Sequence, residues 1–160
     1  MANQGTPVVI NGETYYVPVS GQNPQWGSEL HDVVVALATV SGSINPPGSI
    51  PLTSFNLANN VSSASNLTGA TFDVSLIQSF ELNYSIYRST SITEGSQGGT
   101  LSGTYKRMAN TWDMANEFNG LAGIVFSITN GGQIQYTSSN LSGTFYAGVI
   151  KFSATAILQA

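Results

Sequence analysis

The run Phe80-Glu81-Leu82-Asn83-Tyr84-Ser85-Ile86-Tyr87-Arg88 decides the fold. Its apolar residues recur at every second position, so Phe80, Leu82, Tyr84 and Ile86 share one face and mostly polar groups take the other. That is the pattern of a half-buried strand, since a helix would need apolar residues three and four apart. The same alternation returns in Leu101 to Tyr105, in Ile124, Phe126 and Ile128, and in Ile134 and Tyr136, with Gly131-Gly132 marking a hairpin between the last two. The final run from Thr144 to Leu158 places Tyr146, Ile150, Phe152, Ala154, Ala156 and Leu158 on one face. Strands at roughly ten-residue spacing, separated by turn residues, indicate an antiparallel sandwich or barrel. Its expected core is Phe80, Leu82, Tyr84, Ile86, Phe126, Ile128, Ile150 and Phe152. Gly95-Ser96-Gln97-Gly98-Gly99 reads as a flexible hairpin loop, and Leu67-Thr68-Gly69, Leu101-Ser102-Gly103 and Leu141-Ser142-Gly143 as recurrent strand entries at unequal intervals.

Composition agrees with that reading. Only 8% of the 160 residues are charged, against about 25% in an average soluble domain. The polar surface is therefore Ser, Thr, Asn and Gln, which suit strands and turns, while the strong exposed helix formers Lys, Glu and Arg are scarce. A hydrophobic content of 41% is enough for one core.

Upstream of the strands, Val8-Val9-Ile10-Asn11-Gly12-Glu13-Thr14-Tyr15-Tyr16-Val17 predicts a small hairpin, because Asn-Gly accepts the positive φ angles of a type I′ turn. Trp26-Gly27-Ser28 then leads into Leu30, Val33, Val34 and Leu37, which share a helical face, with Ser28 as cap and Glu29 and Asp32 in the first turn. From Ser41 to Gly69 the chain is rich in Ser, Asn, Pro and Gly, and Pro46-Pro47-Gly48 and Pro51 oppose regular structure. Ile44, Ile50, Leu52, Phe55 and Leu57 make this segment too apolar for a solvated tether, so it is expected to lie as an arm on another surface. The expected organisation is thus 1–66 as hairpin, short helix and extended docking arm, and 67–160 as a mainly β, antiparallel, jelly-roll-like sandwich. Trp26, Leu30, Ile44, Ile50, Leu52 and Phe55 are the candidate partner contacts.

The same residues exclude several functions. Arg88, Lys106, Arg107 and Lys151 are the only Lys and Arg in a chain of net charge −4, too few for a duplex-binding surface, so nucleic acid is not an expected partner. No window is apolar for the roughly 20 residues a membrane helix needs, and Met1-Ala2-Asn3-Gln4-Gly5 does not begin an export signal. Without cysteine there is no disulfide framework or thiolate metal site, and one histidine with dispersed acids offers no ligand cluster. His31 stands beside Asp32 on the expected helix, where adjacent side chains diverge, so it is read as a surface or interface residue rather than a catalytic base. A glycosidase needs only two carboxylates, which Asp73, Glu81, Glu94, Asp113 and Glu117 supply without any supporting motif. The expectation is no catalytic, metal or cofactor-binding residue. Exposed aromatics can form a carbohydrate platform, and Tyr87 and Trp112 are the expected surface aromatics.

Two stretches carry a resemblance. Gly5 to Pro18, followed by Gln25-Trp26-Gly27-Ser28-Glu29-Leu30, resembles the start of bacteriophage tail-fibre, head-fibre and other virion structural proteins. Phe80 to Leu158, with Ile86-Tyr87-Arg88-Ser89-Thr90, Gly99-Thr100-Leu101, Gly123-Ile124-Val125-Phe126-Ser127 and Ile134-Gln135-Tyr136-Thr137-Ser138, is similar to small β-sandwich domains of phage fibres and capsid-decorating proteins. The resemblance implies a homotrimer on the virion, assembled in the host cytoplasm. Size favours a capsid decoration or cement protein that binds the major capsid protein. The alternative it implies is a tail or fibre protein, contacting other tail proteins and binding a host glycan.

Overall fold

The computed structural model describes residues 5–10, 13–18 and 46–160, and the chain divides into two compact units, Met1–Ile44 and Asn45–Ala160. In the first unit, β1 (Gly5–Ile10) and β2 (Glu13–Pro18) pair antiparallel, with Val8 opposite Tyr15 and Ile10 opposite Glu13. This is the hairpin expected around Asn11-Gly12. The expected helix from Ser28, and with it Trp26, Leu30, His31 and Ile44, lies outside the described residues.

The second unit is wholly β among the described residues. Its strands are β3 (Ile50–Asn56), β4 (Ser65–Thr71), β5 (Ile77–Ser89), β6 (Glu94–Lys106), β7 (Thr111–Gly120), β8 (Ile124–Ile128), β9 (Gln133–Ser138) and β10 (Ala147–Leu158). They form a five-stranded sheet in the order β3-β10-β5-β6-β7 and a three-stranded sheet in the order β4-β9-β8, with every pairing antiparallel. The long-range pairs are nested, β3 with β10 and β4 with β9, whereas β5, β6 and β7 run as a plain meander.

Inward side chains of both sheets share one core. Phe80, Leu82, Tyr84 and Ile86 are buried along β5, opposite Ile150, Phe152 and Ala154 of β10. The rings of Tyr84 and Phe126 meet edge-on at 5.0 Å, and Phe55 meets Tyr136 at 6.0 Å, each pair joining one sheet to the other. All the expected core residues are buried except Ile128, which packs against the core while partly exposed. Between β8 and β9 the chain turns at Gly131-Gly132, where Gly132 has φ +85° and lies so close to the Phe72 carbonyl that a side chain would collide with it.

Three expectations change. The arm does not run to residue 66: Ile50–Asn56 is an edge strand of the five-stranded sheet, and the unit boundary falls at Ile44/Asn45. Proline is tolerated on an edge, and Pro51 with Leu52 bulges opposite Ser153, between the pairs Ile50–Ala154 and Thr53–Phe152. The segment Gly95–Gly99 is not a loop but the first half of β6, paired with Tyr84–Arg88. Leu141-Ser142-Gly143 enters no strand directly; it lies in the connection ahead of β10.

Candidate functional site

One end of the β domain is built from connections rather than strands: 57–64, the β5–β6 turn at 90–93, the stretch 121–123 and the β9–β10 connection at 139–146. Arg88 holds three of these together, all but the β5–β6 turn. Strand β5 continues its inward parity from Ile86 to residue 88, so a guanidinium arrives where another apolar side chain would stand. It is fully buried. Its Nε donates to the Tyr146 hydroxyl at 3.0 Å, Nη1 to the Ala122 carbonyl, and Nη2 to Asn59 Oδ1 at 2.8 Å and the Ser139 carbonyl at 2.7 Å. A buried cation is costly unless its donors are satisfied, and here four neutral acceptors from three connections do so. Breaking the set would leave several buried groups unpaired at once.

Further bonds extend the brace. The Ala122 amide donates to Gln97 Oε1, Gln97 Nε2 donates to the Tyr84 hydroxyl, and that hydroxyl donates to Asn116 Oδ1 at 2.9 Å. Asn59 also fixes the β9–β10 connection, accepting from the Leu141 amide at 2.9 Å and donating to its carbonyl at 3.0 Å. At the tip, the Ser91 amide donates to the Thr144 carbonyl and the Thr90 hydroxyl to the Ser142 carbonyl. The laced connections carry Ile92 and Phe145, 76% and 91% exposed. Phe145 has φ +56°, a region that a bulky residue adopts only when its surroundings impose it.

Beside the tip lies a cleft of about 380 Å³ lined by Asn56, Leu57, Tyr87, Tyr146, Ala147, Gly148 and Val149. Asn56, Val149 and Tyr87 form a cross-strand row over β3, β10 and β5. Tyr87 is 48% exposed, and its hydroxyl donates to Glu94 Oε2 at 3.0 Å, which ties the ring to the next strand. Tyr146 packs over Gly148, where any added side-chain carbon would strike the phenol.

Of the candidates from sequence, Tyr87 is the surface aromatic expected. Trp112 is not: it is 9% exposed and sits among Phe72, Phe80 and Tyr105 with ring centroids 6.5, 5.4 and 5.2 Å away. Its polar neighbours Thr111 and Asp113 suggest a surface position, but the parity it shares with Met114 points both inward. Ile50 and Phe55 pack against the domain's own core, while Leu52 is 77% exposed. Arg88, Asn59 and Tyr146 went unrecognised as a unit. The signal for Arg88 was the parity of β5; nothing local marks Asn59.

Four of the five acids of the β domain are separately engaged. Asp73 accepts from the Ser75 hydroxyl and amide, which hold its carboxyl below the usual value; Glu81 accepts from Asn83, and Asp113 pairs with Lys106. Two shallow clefts on the five-stranded sheet take in Glu81 and Asp113 respectively, one carboxylate each. Among the described residues, no group of three or more His, Asp and Glu side chains is placed to hold a metal ion.

No known protein family matches the sequence, and no curated protein does. Among solved structures, the Acinetobacter phage vB_ApiP_P1 tailspike protein is similar over 68% of this chain, at 14% identity and a TM-score of 0.38. The chain covers 20% of that tailspike's length.

Proposed function

We propose that this chain is a non-enzymatic structural protein of a bacteriophage particle: a capsid decoration protein, trimeric, seated on major capsid subunits by its N-terminal unit and displaying a β-sandwich domain. The observation that carries this reading is the division into two unequal units. Asn45–Ala160 closes its own core from two sheets, whereas the described part of Met1–Ile44 is a two-stranded hairpin whose strands pair only with each other. A hairpin of that size is marginal in water, so a partner surface is its natural cover. The sequence resemblance of Gly5–Leu30 to the starts of virion proteins supports the same assignment of roles. The interior of the β domain also suits a scaffold, because its one buried cation is spent on bracing connections rather than exposed to a reactant.

Immunogold labelling of intact particles tests the assignment. Label over the capsid lattice is the expected result. Label confined to the tail would replace decoration by the fibre reading, and absence from purified particles would overturn the virion role.

A further inference from the structure

In an asparagine followed by glycine, the side-chain amide is open to attack by the next backbone nitrogen, since glycine has no Cβ to hinder the approach. The sequence has three such pairs, Asn11-Gly12, Asn119-Gly120 and Asn130-Gly131, of which the first lies outside the described residues. The other two stand in opposite surroundings. We infer that Asn130 is a site of spontaneous deamidation, which converts the β8–β9 turn from neutral to anionic, while the fold protects Asn119.

Asn130 and Gly131 are both exposed at the tip of the β8–β9 hairpin. The bonds that close this turn run from the Thr129 amide to the Gln133 carbonyl at 3.0 Å, from the Gly132 amide to the Thr129 carbonyl at 2.9 Å and from the Gln133 amide to Thr129 Oγ1 at 3.1 Å. None of them uses the Gly131 nitrogen, the nucleophile, which has no protein acceptor among the described residues. Space is free there too, because a carbon added at Gly131 would meet only Thr129 Oγ1, at 3.8 Å. Asn119-Gly120 instead ends β7, with Asn119 opposite Gly98 and Gly120 opposite Gln97. Gly120 has φ +79°, and a carbon added to it would strike the Ser96 carbonyl, so its backbone lies hard against β6. Bringing the Gly120 nitrogen onto the Asn119 side chain therefore requires the end of the ladder to open first.

The step needs only water. The Gly131 nitrogen gives up its proton and bonds to Asn130 Cγ, the Cγ–Nδ2 bond breaks, and ammonia leaves with that proton, which closes a succinimide ring. Water then opens the ring at either carbonyl. Cleavage of the new Cγ–N bond leaves aspartate, and cleavage of the original peptide C–N bond leaves isoaspartate, whose chain runs through Cβ and Cγ. Either product adds one negative charge to a chain of net charge −4. Isoaspartate also lengthens the turn by one backbone carbon close to Gly132, whose carbonyl accepts from the Phe72 amide at 2.9 Å and continues the pairing of β4 with β9.

Incubation of the full chain at mildly alkaline pH, followed over time by mass spectrometry of its peptides, tests this. Conversion at Asn130 to both aspartate and isoaspartate is expected, with Asn119 slower by about tenfold or more, the rate equivalent of one backbone hydrogen bond opened first. In denaturing urea the two rates should converge, because the protection lies in the fold. Gly131→Ala should slow the reaction at Asn130 and, given the open space there, leave the far-UV circular dichroism unchanged. No conversion at Asn130 in the folded chain, equal rates at the two positions without urea, a rate difference that persists in urea, or a folded Gly131→Ala variant that converts as fast as the parent would each overturn the proposal.

Discussion

Trp112 shows at the scale of one residue how burial and hydrogen bonding separate. It packs among three aromatic rings, yet its indole Nε1 is buried without an acceptor. An unpaired buried donor costs about 1–3 kcal/mol, so Trp112→Phe should change stability by less than ~1 kcal/mol, the lost packing being offset by the removed donor. Trp112→Ala should cost about 3–5 kcal/mol, and urea midpoints of the two variants will show the contrast. Asp73 gives a pH-dependent counterpart. Its carboxyl is held below the usual value first by the Ser75 hydroxyl and then by the Ser75 amide. A lowered folded-state value means that the carboxylate contributes stability above about pH 4, the unfolded-state value, and loses it as pH falls through the folded-state value. The gap in urea midpoint between the parent and Asp73→Ala should therefore be present at neutral pH and shrink below about pH 4; a gap that widens in acid would contradict this. At this scale parity was a guide within an unbroken strand, whereas Leu158, counted onto the inner face, is 46% exposed beyond the register shift at Ile157/Leu158. Phe80 to Ile86 were placed correctly, and the same count carried two residues further would have buried Arg88. Trp112, expected at the surface, alternates in step with the partly buried Met114 and so faces inward.

Strands β5, β8, β9 and β10 were readable because alternation is a property of each segment alone. Strand β3 and the first half of β6 were not. Pro51 argues against a strand in general, but its missing N–H costs little at a sheet edge, and edge position depends on which strands pair. Likewise Gly95–Gly99 has little intrinsic strand preference and is extended because β5 pairs along all of it and β7 along Gln97–Gly99. Strand partners, including the nested β3–β10 and β4–β9 pairs, cannot be counted off a period of two, which fixes faces but not neighbours. The edge strand has a direct consequence. A chain starting at Asn66 would lack β3, core residue Leu57 and the Asn59 acceptor of Arg88, whereas one starting at Asn45 would keep all three. The longer form should unfold in one cooperative urea transition. The shorter should be unfolded or less stable by about 4 kcal/mol or more, the combined scale of a lost core side chain and a broken buried charge network. Equal midpoints would mean that β3 contributes nothing to the domain.

For the whole molecule, a β domain with its own core is joined to an N-terminal unit for which docking on a partner surface is proposed. The proposed trimer rests on the resemblance to phage fibre and decoration domains, and light scattering at micromolar concentration should give the mass of three chains; the mass of one would contradict it. In that proposed trimer, three linked N-terminal units would raise avidity for a repeating capsid surface beyond that of one. The most direct measurement of the central claim is rebinding to particles stripped of the native protein, comparing the full chain with residues 45–160. The full chain should restore occupancy, while the shorter chain, folded by the same circular dichroism spectrum in the β region, should leave the particles bare. Rebinding by residues 45–160 at the affinity of the full chain would place the docking surface on the β domain and contradict the division of roles proposed for the two units.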